Sequence, residues 1–315
     1  MTRHFLRDDD LTPAEQAEVL ALAKKLKADR YAARPLEGPR TVAVLFDKPT
    51  LRTQASFTSG IAELGGFPMV VDTKLAQIGR RESVADTARV LGRQAAVIVW
   101  RTYEQQRLEE MAAYAGVPVV NALTDQFHPC QLLADLLTVE EHRGALAGRT
   151  LVFLGDAASN MSHSYLLAGA TAGMQVRVSG PSGYEPDGGV LSRAREIAEE
   201  TGGSVAYVAD PREAVSEADV VATDTWVSMG KEEEAELRQQ PFLPYALTEE
   251  LLSAARPDAV VLHCLPAYRD KEIAAAVLDG PQSVVWDEAE NRLHAQKALL
   301  TWLLARQPDG GGAAR

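Results

Sequence analysis

A short polar turn, placed between an apolar segment and a predicted helix, holds several groups that suit an anion such as phosphate. The apolar segment Thr41–Phe46 has the β-branched composition of a buried strand, and Thr50, Leu51, Arg52 and Thr53 follow it. A strand, a turn and a helix start bring backbone N–H groups and the positive end of the helix dipole to one point. The threonine hydroxyls and the guanidinium fork add donors that match phosphate oxygens. In the alternative interpretation, which fits the local sequence equally well, Thr50 only caps the helix and Arg52 is a solvated surface residue.

Polar side chains also follow two later strands in the same half of the chain. Arg101 comes directly after the predicted strand Ala95–Trp100, and His128 and Gln131 open a helix after the predicted strand Val117–Asn121. Ligands of open parallel sheets bind beyond the carboxyl ends of the strands, so all three side chains are expected at the ligand crevice. His128 and Gln131 share one face of their helix, and both can donate to a carbonyl oxygen. A structural role for the histidine is the alternative, but the glutamine beside it favours function.

The second half of the chain repeats this arrangement with different chemistry. Asn160, Asp224 and Cys264 each come shortly after a predicted strand, and Ser228 lies four residues after Asp224. An aspartate, a serine and an asparagine can together hold the charged α-amino and α-carboxylate groups of an amino acid. For Cys264 the structural alternative is a small buried filler.

Neither a nicotinamide cofactor nor a metal ion is expected. The turn that begins at Gly155 follows a strand and opens a helix, but it lacks the G-x-G-x-x-G pattern, so a nicotinamide dehydrogenase is not supported. His263 and Cys264 do not have the spacing of a zinc site, and no metal site is predicted from them.

Short β-branched segments that alternate with helical ones position these side chains, in the pattern of parallel α/β sheets. The predicted fold is therefore α/β, with two doubly wound parallel-sheet domains that are joined by helices. The strands predicted for the first sheet are Thr41–Phe46, Met69–Asp72, Ala95–Trp100 and Val117–Asn121. The strands predicted for the second are Thr150–Leu154, Gln175–Ser179, Ser204–Val208, Asp219–Thr223 and Ala259–His263.

The preferred domain boundary is the turn Gly144–Gly148, which follows a long helical segment. We predict a first domain over residues 1–143 and a second over residues 144–288. A helix over residues 289–306 is predicted to cross back to the first domain. The tail 307–315 is rich in glycine and alanine and is predicted to be disordered.

The composition is that of an ordinary globular protein, with 46% hydrophobic and 24% charged residues among 315. The formal net charge is −12 and no block is rich in Lys and Arg, which argues against binding to nucleic acid or membranes. We expect no secretory signal, because the residues from Met1 to Asp10 contain no apolar core. The two cysteines make no disulfide framework, so a cytoplasmic location is expected.

The motifs occur in an order that resembles the aspartate/ornithine carbamoyltransferase family, and within it the ornithine branch, from about Arg3 to Arg306. Each motif alone is modest support, whereas all of them in this order are very specific. The matching motifs are Leu51-Arg52-Thr53, Gln77-Ile78-Gly79-Arg80, Trp100-Arg101-Thr102, Phe127-His128-Pro129-Cys130-Gln131, Asn160-Met161, Asp224-Thr225-Trp226-Val227-Ser228-Met229-Gly230, His263-Cys264-Leu265-Pro266 and Glu290-Asn291-Arg292. The resemblance implies a carbamoyl phosphate domain followed by an ornithine domain. It also implies carbamoyl transfer from carbamoyl phosphate to the side-chain amine of L-ornithine, giving L-citrulline and phosphate in arginine metabolism.

The resemblance further implies a role for each site residue. The residues expected to meet carbamoyl phosphate are Thr50, Leu51 (through its backbone), Arg52, Thr53, Gln77, Arg101, His128, Gln131, Leu265 (through its backbone) and Arg292. The residues expected to bind ornithine are Asn160, Asp224, Ser228, Met229 and Cys264. The expected catalytic set is Arg52, Arg101, His128, Gln131 and Cys264. In this family Gln77 reaches into a neighbouring subunit's site, which implies a homotrimer with shared active sites.

The phosphate turn departs from the family's usual Ser-Thr-Arg-Thr-Arg. Here it reads Thr50-Leu51-Arg52-Thr53-Gln54, so Gln54 removes a cation beside the phosphate. The family commonly has a glutamate four residues later, where this chain has Thr58, and positions four apart on a helix are neighbours. We hypothesise that an arginine–glutamate pair was lost together, which leaves the local charge unchanged.

The implied reaction needs no cofactor, because the phosphate anhydride already activates the carbonyl. An amine like that of lysine has a pKa of about 10, so activity is expected to rise with pH through the neutral-to-alkaline range. Cys264, Asp224 and the leaving phosphate are the open candidates for the proton acceptor. Two other functions stay open: carbamoyl transfer to another acceptor, such as putrescine or an acylated ornithine, and a non-catalytic binding homologue with a weakened phosphate turn.

Overall fold

The computed structural model describes residues 2–226 and 239–307, except for the side chains of Lys74 and Leu75, and it contains two compact units. Unit 1 comprises Met1–Ala134 and Asn291–Arg315, and unit 2 comprises Asp135–Glu290. One sheet of four strands and one of five are present, and all their strand pairs are parallel. The predicted α/β fold with two parallel-sheet domains is confirmed.

The sheet of unit 1 has the strand order β2-β1-β3-β4. Its strands are β1 (Thr41–Phe46), β2 (Phe67–Asp72), β3 (Val97–Arg101) and β4 (Val119–Leu123). The chain leaves β1 for β2 on one side and then passes to β3 on the other, so the order reverses between β1 and β3, the point where such sheets bind ligands. Phe46 pairs with Arg101 in the register of these two strands. The turn after β1 and the side chain of Arg101 therefore lie at this point.

The helices of unit 1 begin with α1, which has a capped start. The Thr12 hydroxyl accepts from the Glu15 N–H at 3.3 Å, and the Glu15 carboxylate accepts from the Thr12 N–H at 2.9 Å, which is a capping box. Helix α2 begins at Arg52, although its large apolar residues start only at Phe57. Its first turn is polar, so hydrophobic periodicity did not reveal it. The helices are α1 (Pro13–Ala28), α2 (Arg52–Glu63), α3 (Thr73–Ala76), α4 (Val84–Leu91), α5 (Gln105–Ala115) and α6 (Pro129–Arg143), with a 3-10 turn at Asp8–Asp10.

The C-terminal helix, Val285–Ala305, returns to the first half of the chain as predicted, because its residues from Asn291 onward belong to unit 1. The ammonium group of Lys297, a fully buried side chain, pairs with the Glu63 carboxylate at 2.8 Å, and Lys27 donates to the Asn291 side chain at 2.8 Å. Both α6 and the C-terminal helix contribute residues to both units. The domain boundaries proposed from sequence stay predictions.

The sheet of unit 2 has the strand order β7-β6-β5-β8-β9. Its order reverses between β5 and β8, so the segments that follow these two strands meet at the equivalent ligand point. The strands are β5 (Thr150–Leu154), β6 (Gln175–Ser179), β7 (Ser204–Tyr207), β8 (Val220–Thr223) and β9 (Val260–His263). The helices are α7 (Asn160–Thr171), α8 (Gly188–Thr201), α9 (Pro211–Val215) and the short helices Glu249–Leu252 and Ala275–Leu278, with a 3-10 helix at Gln240–Tyr245.

Within the described ranges, none of the helices combines the length and the apolar character needed to pass through a membrane. Two predicted ornithine ligands, Ser228 and Met229, lie outside the described residues, as does the predicted disordered tail beyond Gln307.

Candidate active site

The turn after β1 leads directly into α2, as the phosphate-site prediction requires. Leu51 occupies the N-cap position of the helix and makes no side-chain capping bond, so Thr50 does not stand at the cap position. An uncapped helix start leaves first-turn N–H groups for a ligand. A cavity of about 320 Å³ lies against the turn, and Lys48, Thr50 and Gln54 are among the residues that line it.

Two buried guanidinium groups converge on the hydroxyl of Thr53. Arg292 Nη2 donates to Thr53 Oγ1 at 2.8 Å, and Arg101 Nη1 donates to the same oxygen at 3.4 Å. Arg292 Nη1 also donates to Gln131 Oε1. Because both acceptor positions of the hydroxyl are taken, Thr53 can act toward a ligand only as a donor. The Gln131 amide is likewise held with its oxygen toward Arg292, so its NH₂ group is the end that suits a carbonyl oxygen.

His128 lies in the same cluster and is held in its neutral form. Burial lowers the pKa of its imidazole well below the usual value, and the positive charges of Arg292, Arg101, Lys48 and Arg52 lower it further. Its side chain is only 4% exposed, and it precedes α6, whose first turn carries Gln131. A neutral imidazole can donate one hydrogen bond to a carbonyl oxygen without changing protonation across the physiological range.

Lys48 is a cation of this site to which the sequence analysis assigned no role. Its side chain is 11% exposed, pairs with Asp125, and lies 4.6 Å from the ring centre of Tyr103. Its ammonium charge also acts on His128. One signal was present in the sequence, since Lys48 stands in the same turn as Arg52, but only the folded turn reveals which way the side chain points.

Gln77 is not part of this cluster. It lies in an exposed loop after α3 and has a φ of +54°, and within the described residues no hydrogen bond joins it to Thr53, Arg101, His128 or Gln131. Its expected role in carbamoyl phosphate binding was placed in a neighbouring subunit, and that role stays a prediction.

In unit 2 the structure brings Asp224 and Cys264 together. They follow the neighbouring strands β8 and β9, whose last residues, Thr223 and His263, are paired in register. The Cys264 thiol donates to Asp224 Oδ1 at 3.3 Å. Burial raises the pKa of the Cys264 thiol well above its usual value, and the nearby carboxylates of Asp224, Glu288 and Asp135 raise it further. Burial also raises the pKa of Asp224.

A buried hydrogen-bond network holds the residues on either side of Cys264. The Leu265 N–H donates to His263 Nδ1 at 2.9 Å, which leaves Nε2 as the protonated nitrogen, 3.2 Å from Glu272 Oε1. The Glu288 carboxylate accepts from the His263 N–H at 2.8 Å. Leu265 has a φ of +58°, a conformation that non-glycine residues adopt only when their surroundings hold them in it. Sequence reasoning missed Glu272 and Glu288, because nothing in their local sequence relates them to Cys264.

Asp224, His263 and Cys264 offer three ligand atoms that lie within 4.8 Å of one another. No metal site was predicted from the spacing of His263 and Cys264. Both ring nitrogens of His263 already take part in the network described above, so the arrangement serves hydrogen bonding rather than an open coordination site.

Asn160 begins α7 after the loop that follows β5, where Ser159 caps the helix by accepting from the Ser162 N–H at 3.2 Å. Topology therefore places Asn160 and Asp224 after the two strands that flank the ligand point of unit 2.

Comparisons with known proteins match each half of the chain to a domain of one family. Residues 3–141 match the family model described as the carbamoyl-P binding domain of aspartate/ornithine carbamoyltransferase, and residues 147–303 match its Asp/Orn binding domain. An ornithine carbamoyltransferase of Clavibacter sepedonicus is 66% identical over 304 residues, which cover 96% of this chain and 99% of the relative.

Solved structures give the same result. The ornithine carbamoyltransferase of Pyrococcus furiosus superimposes with a TM-score of 0.93 at 44% identity, covering 96% of this chain and 97% of that one. An acetylornithine transcarbamylase complexed with acetylcitrulline matches with a TM-score of 0.86 at 31% identity, covering 95% of this chain and 98% of that one. By its matched domains, its relatives and its fold, the chain belongs to the aspartate/ornithine carbamoyltransferase family.

Proposed function

We propose that this chain transfers the carbamoyl group from carbamoyl phosphate to the side-chain amine of L-ornithine, giving L-citrulline and phosphate. The observation that carries the proposal is the convergence of Arg101 and Arg292 on Thr53 and Gln131, beside a neutral His128, in the part of the chain that matches a carbamoyl-phosphate-binding domain. Such a cluster combines cations for a phosphate with neutral donors for a carbonyl oxygen.

The phosphate group is held at the turn and the start of α2. Thr50, the Leu51 N–H, Arg52 and Arg101 are the groups that grip it, since helix N–H donors and guanidinium forks both match phosphate oxygens. As the C–O bond to phosphate breaks, these positive groups stabilise the charge that the departing phosphate gains.

The carbamoyl carbonyl is polarised by neutral donors. His128, the Gln131 amide and the Thr53 hydroxyl donate to the carbonyl oxygen, and their hydrogen bonds strengthen as that oxygen becomes negative in the tetrahedral intermediate. Arg292 orients two of these three donors, and it also meets carbamoyl phosphate together with the backbone of Leu265.

The attacking amine must lose its proton before it forms the new C–N bond. The Cys264 thiol is neutral and donates to Asp224, so it is a poor proton acceptor in this state. Asp224 has a raised pKa and is therefore a better base than an ordinary carboxylate. The proton passes to Asp224 or to the leaving phosphate, and Cys264 orients the amine.

Asn160, Asp224, Ser228 and Met229 bind the α-amino and α-carboxylate groups of ornithine in this proposal. The 66% identity to an ornithine carbamoyltransferase, against 31% to an acetylornithine transcarbamylase, supports the free amino acid as acceptor. No cofactor takes part. The active protein is a homotrimer in the cytoplasm, with Gln77 serving a neighbouring subunit, and its product enters arginine biosynthesis.

A panel of amines tests the proposal directly. Purified protein is incubated with carbamoyl phosphate and, separately, L-ornithine, N-acetylornithine, putrescine and L-lysine, and the ureido product is measured. We expect L-ornithine to be carbamoylated at least about a hundredfold faster than N-acetylornithine and putrescine, because a site built for α-groups leaves its own polar groups unpaired with an acceptor that lacks them. L-Lysine has the same α-groups and one more methylene, so it should be slower by about 10–200-fold. Faster carbamoylation of putrescine or of the acylated amine would reassign the acceptor. Carbamoyl phosphate binding without any ureido product would instead support a non-catalytic homologue.

A further inference from the structure

Arg107, a residue of α5 that belongs to none of the recognised motifs, joins three separate segments of unit 1. Its Nη2 donates to the Ile78 carbonyl at 2.9 Å. Its Nη1 lies 3.4 Å from Asp47 Oδ2 and 3.4 Å from the Thr102 hydroxyl. The guanidinium plane lies over the buried ring of Trp100, 5.0 Å from the ring centre. One planar cation therefore contacts the turn after β1, the segment after β3 and the loop that carries Gln77.

Asp47 adds a second connection between the phosphate turn and the segment that leads to Gln77. Its carboxylate accepts from the Thr73 hydroxyl, at the start of α3, as well as from Arg107. Its backbone N–H donates to the Arg101 carbonyl at 2.9 Å. The segment from Thr73 to Ile78 is thus attached to Asp47 directly at Thr73 and through Arg107 at Ile78. Asp47 is in turn bonded to the strand that ends in Arg101.

The Gln77 loop has a backbone that needs such support. Gln77 has a φ of +54° and Gly79 a φ of +78°, and non-glycine residues rarely adopt the left-handed region without external contacts. A Cβ atom added to Gly79 would lie 3.2 Å from Arg107 Nη2, so the guanidinium packs directly against this backbone. The side chains of Arg107 and Asp47 are only 23% and 12% exposed, which strengthens their attraction relative to a pair in open solvent.

We propose that Arg107 is a positioning residue that fixes the Gln77 loop to the phosphate turn of its own subunit. The proposal rests on the proposed function, in which Gln77 serves the carbamoyl phosphate of a neighbouring subunit. Arg107 would then link the phosphate turn of one subunit to the neighbouring site that Gln77 serves. A change in the turn around Asp47 is transmitted through Arg107 to the loop that carries Gln77. Arg107 itself touches no substrate.

Three variants separate this role from general stability. Arg107→Met keeps an unbranched stem and removes the charged fork, and Arg107→Lys keeps the charge without the planar bidentate geometry. The matched control is Arg89→Met, because Arg89 makes the same kinds of contact on α4, an ion pair with Asp86 at 2.7 Å and a ring contact with Tyr114 at 4.5 Å. The first readout needs no activity: trypsin cleavage after the exposed residues Arg80 and Arg81, followed by mass spectrometry.

The second readout is kinetic and uses a double-mutant cycle with Gln77→Ala. We expect Arg107→Met to speed cleavage in the loop by about fivefold or more and to raise the KM for carbamoyl phosphate by about fivefold, with an intermediate effect of Arg107→Lys and none of Arg89→Met. In the Gln77→Ala background, Arg107→Met should raise that KM by less than about twofold, since both changes act through one loop.

Wild-type cleavage of Arg107→Met overturns the proposal, and so do effects of Arg107→Met and Gln77→Ala on KM that are fully additive. If the wild-type protein makes no citrulline, the proposed function fails, whereas the cleavage experiment still decides whether Arg107 holds the loop.

Discussion

The two units place their reactive groups at equivalent points of two similar sheets but surround them with opposite charge. In unit 1, His128 lies among guanidinium and ammonium groups, and its pKa falls well below the usual value because of burial and those cations. In unit 2, Cys264 lies among carboxylates, and its pKa rises well above the usual value because of burial and those anions. Burial acts in both places, and in both it favours the neutral form of the group.

The difference shows how one topology serves two kinds of substrate. The reversal of strand order fixes where a ligand binds in each unit, but it does not fix the sign of the charge there. That sign depends on a few residues placed after the strands and on their buried neighbours. A cationic site suits a phosphate anhydride, whereas an acidic site suits a substrate that carries amino groups.

The largest effect is expected from removing one of the cations in unit 1. Arg101→Met should lower kcat/KM for carbamoyl phosphate by about 10³-fold or more, since losing a single preorganised donor already costs on the order of 10²–10³ and Arg101 also holds the phosphate. Citrulline formation and the melting temperature are measured together, with Arg89→Met as the control. A decrease of less than tenfold would remove Arg101 from the catalytic set.

A smaller effect is expected when His128 is replaced by another neutral donor. Burial and the neighbouring cations lower the pKa of the imidazole well below its usual value, so its own titration does not contribute to a rise of activity through the neutral-to-alkaline range. His128→Gln should therefore lower kcat by about 10²-fold while the rise of activity with pH keeps its position, since that rise reports the amine. Rate profiles from pH 6 to 9 are compared for both proteins. If the rise vanishes in the variant, His128 is itself the titrating base.

In unit 2 the corresponding test uses the thiol. The raised pKa of Cys264 means that little thiolate forms at pH 8, so iodoacetamide should modify it more slowly than an ordinary exposed thiol. Asp224→Asn removes one of the carboxylates that raise this pKa, so it should speed the modification, by about threefold or more at pH 8. Cys264→Ser keeps a donor to Asp224 and should lower kcat by only about tenfold.

Mass spectrometry identifies the modified residue in these experiments. Cys130 is the internal control, because its thiol is 1% exposed, donates to the Asn121 carbonyl, and has a pKa that burial raises to about 12. Equal rates for wild type and Asp224→Asn would show that the acidic surroundings of Cys264 do not control its protonation.

The sequence predicted both sheets, because strands buried on two faces read as nearly continuous apolar segments. Two strand ends beside the site were predicted too early, since β3 ends at Arg101 rather than Trp100 and β4 ends at Leu123 rather than Asn121. Arg101, for example, follows four apolar residues that are all buried in β3. The first turn of α2 was not predicted as helix, because its residues are polar and show no hydrophobic periodicity.

The sequence could not predict contacts between residues that are far apart along the chain. Arg107 and Ile78 are 29 positions apart, and His263 and Glu288 are 25 apart, so only the folded chain shows that they are bonded. The same holds for Lys48, which stands in a recognised turn although its side chain could point either into the site or into solvent.

The smallest effect is expected from substitution of Gln54, because Lys48 lies beside it. The Gln54 side chain is exposed, and it lines the same cavity as the Lys48 side chain, which already supplies a cation on this side of the phosphate turn. Restoring the family's arginine with Gln54→Arg should therefore change kcat/KM for carbamoyl phosphate by less than about twofold, since an added exposed charge is largely screened by water and salt.

The double variant Gln54→Arg with Thr58→Glu recreates the exposed pair one turn apart on α2, and it should be equally active and melt within about 2 °C of the wild type, because such helical pairs contribute only a few tenths of a kcal/mol. The kinetic constants of both variants are measured at low and high salt. A gain of tenfold or more in kcat/KM from Gln54→Arg alone, abolished by salt, would mean that the phosphate turn of this chain lacks a cation that Lys48 does not replace. The electrostatic contrast between the two units would then be weaker than the pKa of His128 indicates.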